Sequence, residues 1–412
     1  MKVLFAVVFI LFAQTLAQLP PGNGPASLEN PTILEPVAVK FQPGLLSRLN
    51  VPEGFNVSVF AENLGNARMM HVMPNGDIYL TRRQSGDVLL IKDTNADGVA
   101  DEQNPVAQNL KLVHGITAVD DTLYLVADKM VYTAQINTDG TLQQPTAIIT
   151  DLPDSGQHPA RTVAFGPDGM MYLGVGSTCN NCPESNPENA TLLRAMPDGS
   201  ARNVYAKGLR HTIGFGWHPI TGVLYGFDHG SDWRGDDQPP EEFNRIEANA
   251  DYGWPWCYGN AEPDKFASQQ PPGTTKGQYC TTTQAPQLTY TAHAAPIGMS
   301  FYTGAMFPAE YQGDAFVAMR GSWNRSEPSG YEIVRVNFND AGEPESIEPF
   351  ITGWIIEEGV PDPDNPGETK IGQFGRLAGV AVWTDGSLLF TDDQSGVIYR
   401  VTYGTTTQAQ GE

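Results

Sequence analysis

A short unit recurs along this chain: a turn rich in Asn, Asp and Gly leads into a strand of alternating apolar residues. It is found at residues 75–80, 121–125, 167–173, 222–225, 313–317 and 384–390. The first four copies lie roughly 45 to 55 residues apart, which is the period of a propeller blade. The six copies therefore predict an all-β fold, a six-bladed β-propeller whose closure removes exposed sheet edges. A pair of β-sandwiches is the alternative architecture.

The first residues indicate the compartment. Lys2 is followed by an apolar run over residues 3–12 and by Thr-Leu-Ala at residues 15–17. This pattern is typical of a secretory signal peptide cleaved after Ala17, and the run is too short to span a bilayer. An N-terminal membrane anchor is the alternative, but no second apolar segment follows. We therefore expect a secreted, extracellular protein.

Composition and spacing divide the rest of the chain. The expected segments are an N-terminal arm rich in Pro and Gly, the catalytic propeller and a flexible tail, at residues 18–50, 51–404 and 405–412. The closing blade is expected to pair residues 396–403 with residues 55–61. Wide gaps after the fourth repeat predict insertions near 231–245 and 257–290.

Charge excludes two classes of partner. The chain has 24 Lys and Arg against 47 Asp and Glu, a formal net charge of −23. Such a chain repels phosphate backbones and anionic lipid, so we expect neither nucleic acid nor membrane as a partner.

Secretion gives two further expectations. Four cysteines suggest two disulfides, for which the sequence permits three pairings; nearest-neighbour pairing gives Cys179–Cys182 and Cys257–Cys280. Cys-Asn-Asn-Cys also resembles a redox pair, but Pro183 follows it and no helix pattern does, which favours a structural staple. Three Asn-x-Ser/Thr sequons would carry glycans in a eukaryotic host: Asn56, Asn189 and Asn324.

One acidic loop is a candidate calcium site. Asp93, Asn95, Asp97 and Asp101 place oxygen ligands at alternate positions around Gly98, as in the first half of an EF-hand loop. The bidentate Glu that completes such a loop is missing, so a solvated acidic turn is the alternative.

Histidines and arginines recur beside the repeats, where the loops of a propeller converge on one face. The histidines are His114, His158, His211, His229 and His293, and the arginines are Arg161, Arg210, Arg320 and Arg376. Any single one is more often packed or paired than functional. Four arginines directed at one axial pocket would suit a polyanionic ligand, because guanidinium groups bind carboxylates through paired hydrogen bonds.

Several of these segments together resemble the glucose/sorbosone dehydrogenase family, and most of all its sorbosone-type and fungal pyranose dehydrogenase branch. The resemblance covers about residues 50–403 and rests on His158-Pro-Ala-Arg161, Gly208-Leu-Arg210-His211, Gly230-Ser231-Asp232, Asp251-Tyr-Gly-Trp-Pro255, His293-Ala-Ala-Pro296, Arg320-Gly-Ser-Trp-Asn324 and Gly375-Arg376. It implies a soluble sugar dehydrogenase with pyrroloquinoline quinone and Ca²⁺ as cofactors. Electrons would pass to an external acceptor, because no cytochrome module is recognisable in the chain.

The resemblance also implies roles for individual residues. His158 would be the base that takes the sugar hydroxyl proton, and Arg210 would hydrogen-bond the quinone oxygen. Backbone carbonyls of Gly230 and Ser231 would hold calcium at the quinone edge. The remaining implied ligands are Arg320 and Arg376 for the cofactor carboxylates, His293 for its ring, and Glu242 and Tyr252 for a second calcium ion.

Departures from the family pattern affect the substrate. His211 stands where soluble glucose dehydrogenases commonly have Asn, Ser177 stands where they have an acid, and Ala378 stands where they have a second Arg. We therefore expect His114, Ser177 and His211 to contact the sugar, a pyranose or keto-aldose, and the departures leave glucose specificity open. A calcium-dependent lactonase or hydrolase and a propeller that binds ligands without a cofactor are the alternative functions.

Overall fold

The computed structural model describes residues 33–404, so the predicted signal peptide and tail lie outside the described residues. Strands dominate this part of the chain, and in chain order they are β1 (Val37–Ala38), β2 (Phe55–Ala61), β3 (Ala67–Val72), β4 (Ile78–Arg82), β5 (Asp87–Lys92), β6 (Glu102–Ala107), β7 (Gly115–Val119), β8 (Thr122–Val126), β9 (Val131–Gln135), β10 (Thr146–Ile149), β11 (Thr162–Phe165), β12 (Met171–Val175), β13 (Thr191–Ala195), β14 (Asn203–Lys207), β15 (Phe215–Trp217), β16 (Leu224–Asp228), β17 (Glu241–Arg245), β18 (Cys257–Tyr258), β19 (Glu262–Pro263), β20 (Leu288–Tyr290), β21 (Pro296–Phe301), β22 (Ala315–Met319), β23 (Glu332–Phe338), β24 (Pro344–Ile351), β25 (Ile355–Pro361), β26 (Thr369–Gln373), β27 (Leu377–Val382), β28 (Leu388–Asp392) and β29 (Val397–Tyr403).

Helix is confined to short pieces. One α-helix, α1 (Lys276–Cys280), and two 3₁₀ turns, Pro43–Arg48 and Ala309–Tyr311, occur among residues 33–404. In this same stretch no helix reaches the length and apolarity that a transmembrane span needs. The prediction of an all-β fold is therefore confirmed.

Most strands of the described chain belong to six antiparallel sheets of four strands. In chain order these are β3-β4-β5-β6, β7-β8-β9-β10, β11-β12-β13-β14, β15-β16-β17-β20, β21-β22-β23-β24 and β27-β28-β29-β2, called the first to the sixth sheet below. Each sequence repeat leads into the second strand of one sheet, which is β4, β8, β12, β16, β22 or β28. The repeat is therefore the turn of the hairpin that joins the first two strands.

The first strands of neighbouring sheets approach one another closely, and glycine makes this possible. A Cβ atom on Gly115 would lie 2.7 Å from the Arg161 carbonyl oxygen, which belongs to the next sheet's entry. The same atom on Gly379 would lie 2.5 Å from the carbonyl oxygen of Arg68, which joins the sixth sheet to the first. Any side chain at these positions would push the sheets apart.

The sixth sheet is built from both ends of the described chain. Strand β2 pairs with β29 in an antiparallel register that sets Phe55 opposite Tyr403 and Val57 opposite Val401. The predicted pairing of residues 396–403 with 55–61 is confirmed. Phe55 is buried in a cluster with Phe307 and Phe350, so this pairing also seals an aromatic core.

Insertions and the arm decorate the sheets. The predicted insertion near 231–245 ends earlier, because Glu241–Arg245 forms β17. Residues 246–287 carry β18, β19 and α1 before β20 completes the fourth sheet. Strand β1 of the arm pairs in parallel with β26, and the two predicted disulfides, Cys179–Cys182 and Cys257–Cys280, are present.

Candidate active site

A cavity of about 370 Å³ collects the residues that immediately precede the first strands of several sheets. Of the candidate histidines, arginines and calcium ligands named from the sequence, eight line it: His158, Arg210, His211, His229, Gly230, His293, Arg320 and Arg376. Because each comes from a loop at the same end of its sheet, the repeated topology brings together groups that are far apart in the chain.

His158 is held with one ring nitrogen bonded and the other available. Its Nδ1 lies 2.8 Å from the carbonyl oxygen of Ser177 and 2.8 Å from the Ser177 Oγ. A carbonyl can only accept, so Nδ1 carries the proton and Nε2 keeps its lone pair. Burial and then the nearby Arg210 hold the pKa of His158 well below its ordinary value, so the ring is neutral at physiological pH. This is the state that a general base requires.

Arg210 is fixed by the chain segment that follows Ser177. Its Nε donates to the Asn180 carbonyl oxygen at 2.9 Å, and its Nη2 donates to the Asn180 Oδ1 at 2.9 Å and to Asp232 at 3.0 Å. The buried carboxylate of Asp228 accepts the backbone N–H of Arg210 at 2.9 Å. These contacts hold a positive charge at the cavity with little freedom to move.

Residues 177–182 therefore position both groups, and we call them the 177–182 loop. The Ser177 Oγ donates to the Cys179 carbonyl oxygen at 2.8 Å, and the Cys179–Cys182 disulfide closes the loop. Asn181 donates to the Pro255 carbonyl oxygen at 2.9 Å, which ties the loop to the insertion of the fourth sheet. The redox-pair interpretation of Cys-Asn-Asn-Cys gains no support, whereas the structural staple does.

Two further histidines stand beside the base. The His211 ring centroid lies 4.8 Å from that of His158 and 5.4 Å from that of His229. His211 Nε2 contacts the Ala160 carbonyl oxygen at 3.1 Å, and burial lowers the pKa of both His211 and His229, the latter to about 4. The three rings thus add no positive charge next to Arg210.

Arginines dominate the opposite wall of the cavity. Arg68 and Arg320 both bind the buried carboxylate of Asp393, Arg320 through contacts at 2.8 and 3.0 Å. Arg376 donates from Nη2 to the Gly321 carbonyl oxygen at 2.8 Å, and its buried Nε has no hydrogen-bond partner in residues 33–404. Burial, with Arg320 nearby, lowers the pKa of Arg376. We call Arg68, Arg83, Arg320 and Arg376 the arginine wall.

Gly230 and Ser231, which were predicted to hold calcium, lie at the boundary between two cavities. Gly230 lines the main cavity and also a small one of about 20 Å³, which is lined in addition by Ser231, Asp228, Glu242 and Tyr252. Burial, followed by the neighbouring Asp228 charge, raises the pKa of Glu242 to about 8. A void of this size is large enough for a water molecule or an ion. Oxygen donors of this kind fit calcium by type.

Glu241 links two loops of the main cavity. Its carboxylate accepts the backbone N–H of Gly230 at 2.8 Å and that of Ala295 at 2.9 Å. His293 stands next to this link, with Nε2 2.8 Å from the Gly235 carbonyl oxygen. The predicted position of His293 beside the cofactor pocket agrees with its place in the cavity lining.

Three sequence-based expectations need correction. His114 was expected to contact substrate, but it is fully buried, with Nδ1 2.9 Å from the Arg161 carbonyl oxygen, and it does not line the cavity. Ser177 was expected to do the same, yet it is fully buried behind His158, whose orientation it sets. Arg161 points into the protein and donates to the Pro153 carbonyl oxygen, so it is not one of the cavity arginines.

The 93–101 loop uses its carboxylates internally. Asp93 accepts the backbone N–H of Gly98 at 2.8 Å, and Asp101 accepts that of Thr94 at 2.7 Å. Among residues 33–404, the one trio of His, Cys, Asp or Glu ligand atoms that lies within 4.8 Å is Cys179, Cys182 and Glu184, in which both sulfurs form the disulfide. Calcium in the 93–101 loop stays a prediction.

Two of the three sequons are inaccessible. The amide of Asn189 is buried and donates to the Asp154 carbonyl oxygen at 2.9 Å. Asn324 is buried in the cavity wall and donates to Asp232 at 3.0 Å. Glycosylation at these two positions is therefore wrong for the folded chain, whereas Asn56 is exposed.

Several residues of the cavity wall are not among the candidates predicted from the sequence. Arg68, Arg83, Asn180 and Asp393 were not singled out, although all but Asn180 line the cavity. Arg68 belongs to the first strand of its sheet, β3, close to the position that Arg376 holds just before β27. Comparing residues at the start of each first strand, rather than at the turn that follows it, would have found Arg68.

Comparisons with known proteins agree with this architecture. A family model described as TrAA12-like matches residues 49–404. An uncharacterized protein of Borreliella burgdorferi is 28% identical over 375 residues, which cover 87% of this chain and 92% of that protein. A pyrroloquinoline quinone-dependent pyranose dehydrogenase of Coprinopsis cinerea is 30% identical over 171 residues, which cover 36% of this chain and 22% of that enzyme.

Two solved structures share the fold. The calcium structure of a Trichoderma reesei carbohydrate-active enzyme of family AA12 superposes with a TM-score of 0.73 at 19% identity, covering 91% of this chain and 100% of that one. The holo form of the pyranose dehydrogenase PQQ domain of Coprinopsis cinerea gives a TM-score of 0.69 at 19% identity, covering 86% of this chain and 97% of that one. At this identity the likeness concerns the fold.

Proposed function

Because the chain belongs to the TrAA12-like family, we propose that it is a quinoprotein dehydrogenase that oxidises a sugar hydroxyl with pyrroloquinoline quinone as cofactor. The observation that carries the proposal is a neutral histidine base and a fixed arginine on one side of a cavity that has an arginine wall on the other. A named relative is a pyranose dehydrogenase that depends on this quinone.

The arginine wall fits a polycarboxylate. Arg376 has a buried Nε without a partner, and Arg68 has another, so both can donate further hydrogen bonds. Asp393 is the carboxylate that Arg68 and Arg320 share, so positive charge is in excess at this wall. Charge-assisted hydrogen bonds from buried guanidinium groups would compensate the acid groups of the quinone.

The chain's own residues supply the acid–base part of the reaction. Pyrroloquinoline quinone, when bound, supplies the two-electron acceptor for the hydride that the sugar carbon loses. His158 Nε2 takes the hydroxyl proton, and the Ser177 carbonyl stabilises the imidazolium that forms by accepting from Nδ1–H. Arg210 would stabilise the negative charge that develops on the group that accepts the hydride. The sugar leaves with a carbonyl group in place of the hydroxyl.

Calcium is part of the proposal. Gly230 and Ser231 would hold one ion, and Glu242 and Tyr252 would hold a second one in the small cavity. A divalent cation there would offset the cost of burying an ionised Glu242. Chelator-treated protein should therefore regain activity when calcium accompanies the quinone, and full activity with quinone in metal-free buffer would contradict this role.

Three finer statements belong to the same proposal. We propose that the six sheets close into a six-bladed propeller, supported by the close approaches between the first strands of neighbouring sheets, including the approach of Gly379 to Arg68. We also propose that the protein is secreted after cleavage behind Ala17, which N-terminal sequencing of the exported protein would test. Electrons would leave to a separate acceptor, such as a cytochrome, a quinone or another redox enzyme.

The alternative functions fit the cavity less well. A calcium lactonase would need free carboxylate and amide ligands around one ion at the centre of the cavity, whereas the three carboxylates of the described chain that line it are engaged. Asp232 binds Arg210, Asp393 binds Arg320, and Glu241 accepts two backbone N–H groups. A binding protein without a cofactor would not need His158 to be held as a free base.

The test is reconstitution. Pyrroloquinoline quinone and calcium are added to the protein, and quinone binding is followed by its absorption spectrum while a panel of sugars is offered with a dye as terminal acceptor. We expect saturable quinone binding and sugar-dependent dye reduction. Quinone binding without oxidation of any sugar would refute the dehydrogenase activity, and the absence of quinone binding would refute the whole proposal and favour the propeller that binds ligands without a cofactor.

A further inference from the structure

One arginine of the cavity is left without a partner. Arg83 lines the cavity, yet it makes no ion pair and no hydrogen bond within residues 33–404, and its Nε is buried. Its neighbour Arg82 shows the ordinary alternative, because it forms an ion pair with Asp87 across the same turn. Arg376 also lacks a carboxylate in the described chain, but it donates to the Gly321 carbonyl oxygen, a contact for which Arg83 has no equivalent.

The surrounding charges do not compensate Arg83. Burial lowers its pKa, while attraction to Asp393 and Asp128 opposes this and repulsion from Arg320 adds to it. Neither carboxylate forms an ion pair with Arg83. Asp393 binds Arg68 and Arg320 instead, and Asp128 accepts a hydrogen bond from Ser155. The positive charge of Arg83 therefore remains available to a ligand in the cavity.

The position of Arg83 separates it from the rest of the arginine wall. Its attraction to Asp128 points toward the segment of the base, because Asp128 accepts a hydrogen bond from Ser155, three residues before His158. Gln84 and Gln157 also line the cavity, and both are exposed, with no hydrogen bond from their amide groups to the described chain. A cation without a counter-ion and two free amides in the same cavity suit a sugar that carries an acid group.

We propose that Arg83 binds the carboxylate of an acidic sugar, so that the substrate class is a uronic acid, free or at the end of an acidic oligosaccharide. This inference rests on the proposed function, which it narrows. The carboxylate is unchanged in the reaction: the ring carbon loses a hydride, its hydroxyl loses a proton, and a carbonyl forms. Gln84 and Gln157 would donate to and accept from neighbouring sugar hydroxyls.

The experiment compares D-glucuronate with D-glucose, and D-galacturonate with D-galactose, on the protein loaded with quinone and calcium. We expect kcat/KM to favour each uronate by roughly ten- to hundredfold, as one charge-assisted hydrogen bond allows. The difference should lie in KM and should shrink with added salt. Arg83→Gln should bring the ratio close to one, and Arg83→Lys should keep part of it. Arg194→Gln, at a partly exposed arginine outside the cavity, should leave the ratio unchanged.

A binding measurement separates this inference from the proposed function. Titration of glucuronate into the protein by calorimetry, with and without quinone, reports the Arg83 site even if no turnover occurs. Neutral sugars oxidised as well as uronates, with Arg83→Gln changing only quinone affinity, would assign Arg83 to the cofactor and overturn the inference while the function stands. Uronate binding that Arg83→Gln abolishes, without oxidation of any sugar, would support the site and refute the function.

Discussion

The two sides of the cavity are built on opposite principles. On the side of the base, His158 and Arg210 have most of their polar atoms bonded to carbonyl and amide groups of the 177–182 loop. On the other side, two members of the arginine wall, Arg68 and Arg320, share one buried carboxylate, Asp393, and the wall retains buried nitrogen atoms without partners. A group that must react is held in one orientation, whereas a group that must bind is left incomplete until its ligand arrives.

The two sides also differ in how the chain assembles them. The residues that hold His158 and Arg210 lie between residues 177 and 232, and the first part of this stretch is closed by the Cys179–Cys182 disulfide. Arg68 and Asp393 are 325 residues apart and meet only because the sixth sheet packs beside the first. Mutations on the first side should therefore change chemistry, and mutations on the second should change affinity.

The largest effect is expected at the base. His158→Ala or His158→Gln removes the proton acceptor, which typically costs about 10² to 10⁴ in rate. Quinone binding should stay near native, because neither variant alters the arginine wall. Single-turnover reduction of bound quinone by an active sugar measures this, with His71→Gln outside the cavity as the control. If His158→Gln reduces quinone at the native rate, His211 becomes the candidate base.

Arg210 tests whether its side of the cavity acts in the transition state. Arg210→Ala should lose about 10² to 10³ in turnover even when the quinone is saturating, as expected when a preorganised donor to developing charge is removed. Arg210→Lys keeps the charge but cannot reproduce both contacts to Asn180. Its turnover rate should therefore lie between those of the native protein and of Arg210→Ala. A rate that recovers fully at high quinone concentration would move Arg210 to the binding side.

Arg376 provides the reverse test on the arginine wall. Arg376→Ala should weaken quinone binding about ten- to hundredfold, the value of one charge-assisted hydrogen bond, with turnover recovering at saturating quinone. Paired titrations of the Arg376→Ala and Arg210→Ala proteins measure affinity and rate separately. Equal losses of quinone affinity and of turnover rate in the two variants would show that binding and catalysis are not separated between the two sides of the cavity.

What the sequence could predict follows the same division. The hairpin turns were found because Asn, Asp and Gly determine them locally, and His158 and Arg210 were found because they stand beside such turns. Arg68, Arg83 and Asp393 were missed because they come together in the cavity only when sheets that lie far apart in sequence pack side by side. His114 was wrongly placed in the cavity because a turn position does not indicate which way a side chain points.

The smallest expected effect concerns the pH dependence of the base. The acid limb of kcat/KM should lie well below pH 6.5, because the pKa of His158 is depressed and the base stays neutral until the pH falls through that lower value. Ser177→Asp would place a carboxylate near Nδ1, stabilise the imidazolium and move the limb upward by about one pH unit or more. A pH profile of both proteins with one sugar checks this, and Ser177→Ala, which adds no charge, should give a much smaller shift.

The pairing of β2 with β29 has a consequence for the order of assembly. The other five sheets are each made from one uninterrupted stretch of chain, so they can form as synthesis proceeds, whereas the sixth must wait for residues 397–403. Contacts that span most of a chain form slowly, because a very large loop has to close first. A chain that stops before residue 397 would keep five complete sheets but leave β2 and β28 without the strand that joins them. Each of these two strands would then expose an unpaired edge, and exposed strand edges promote aggregation.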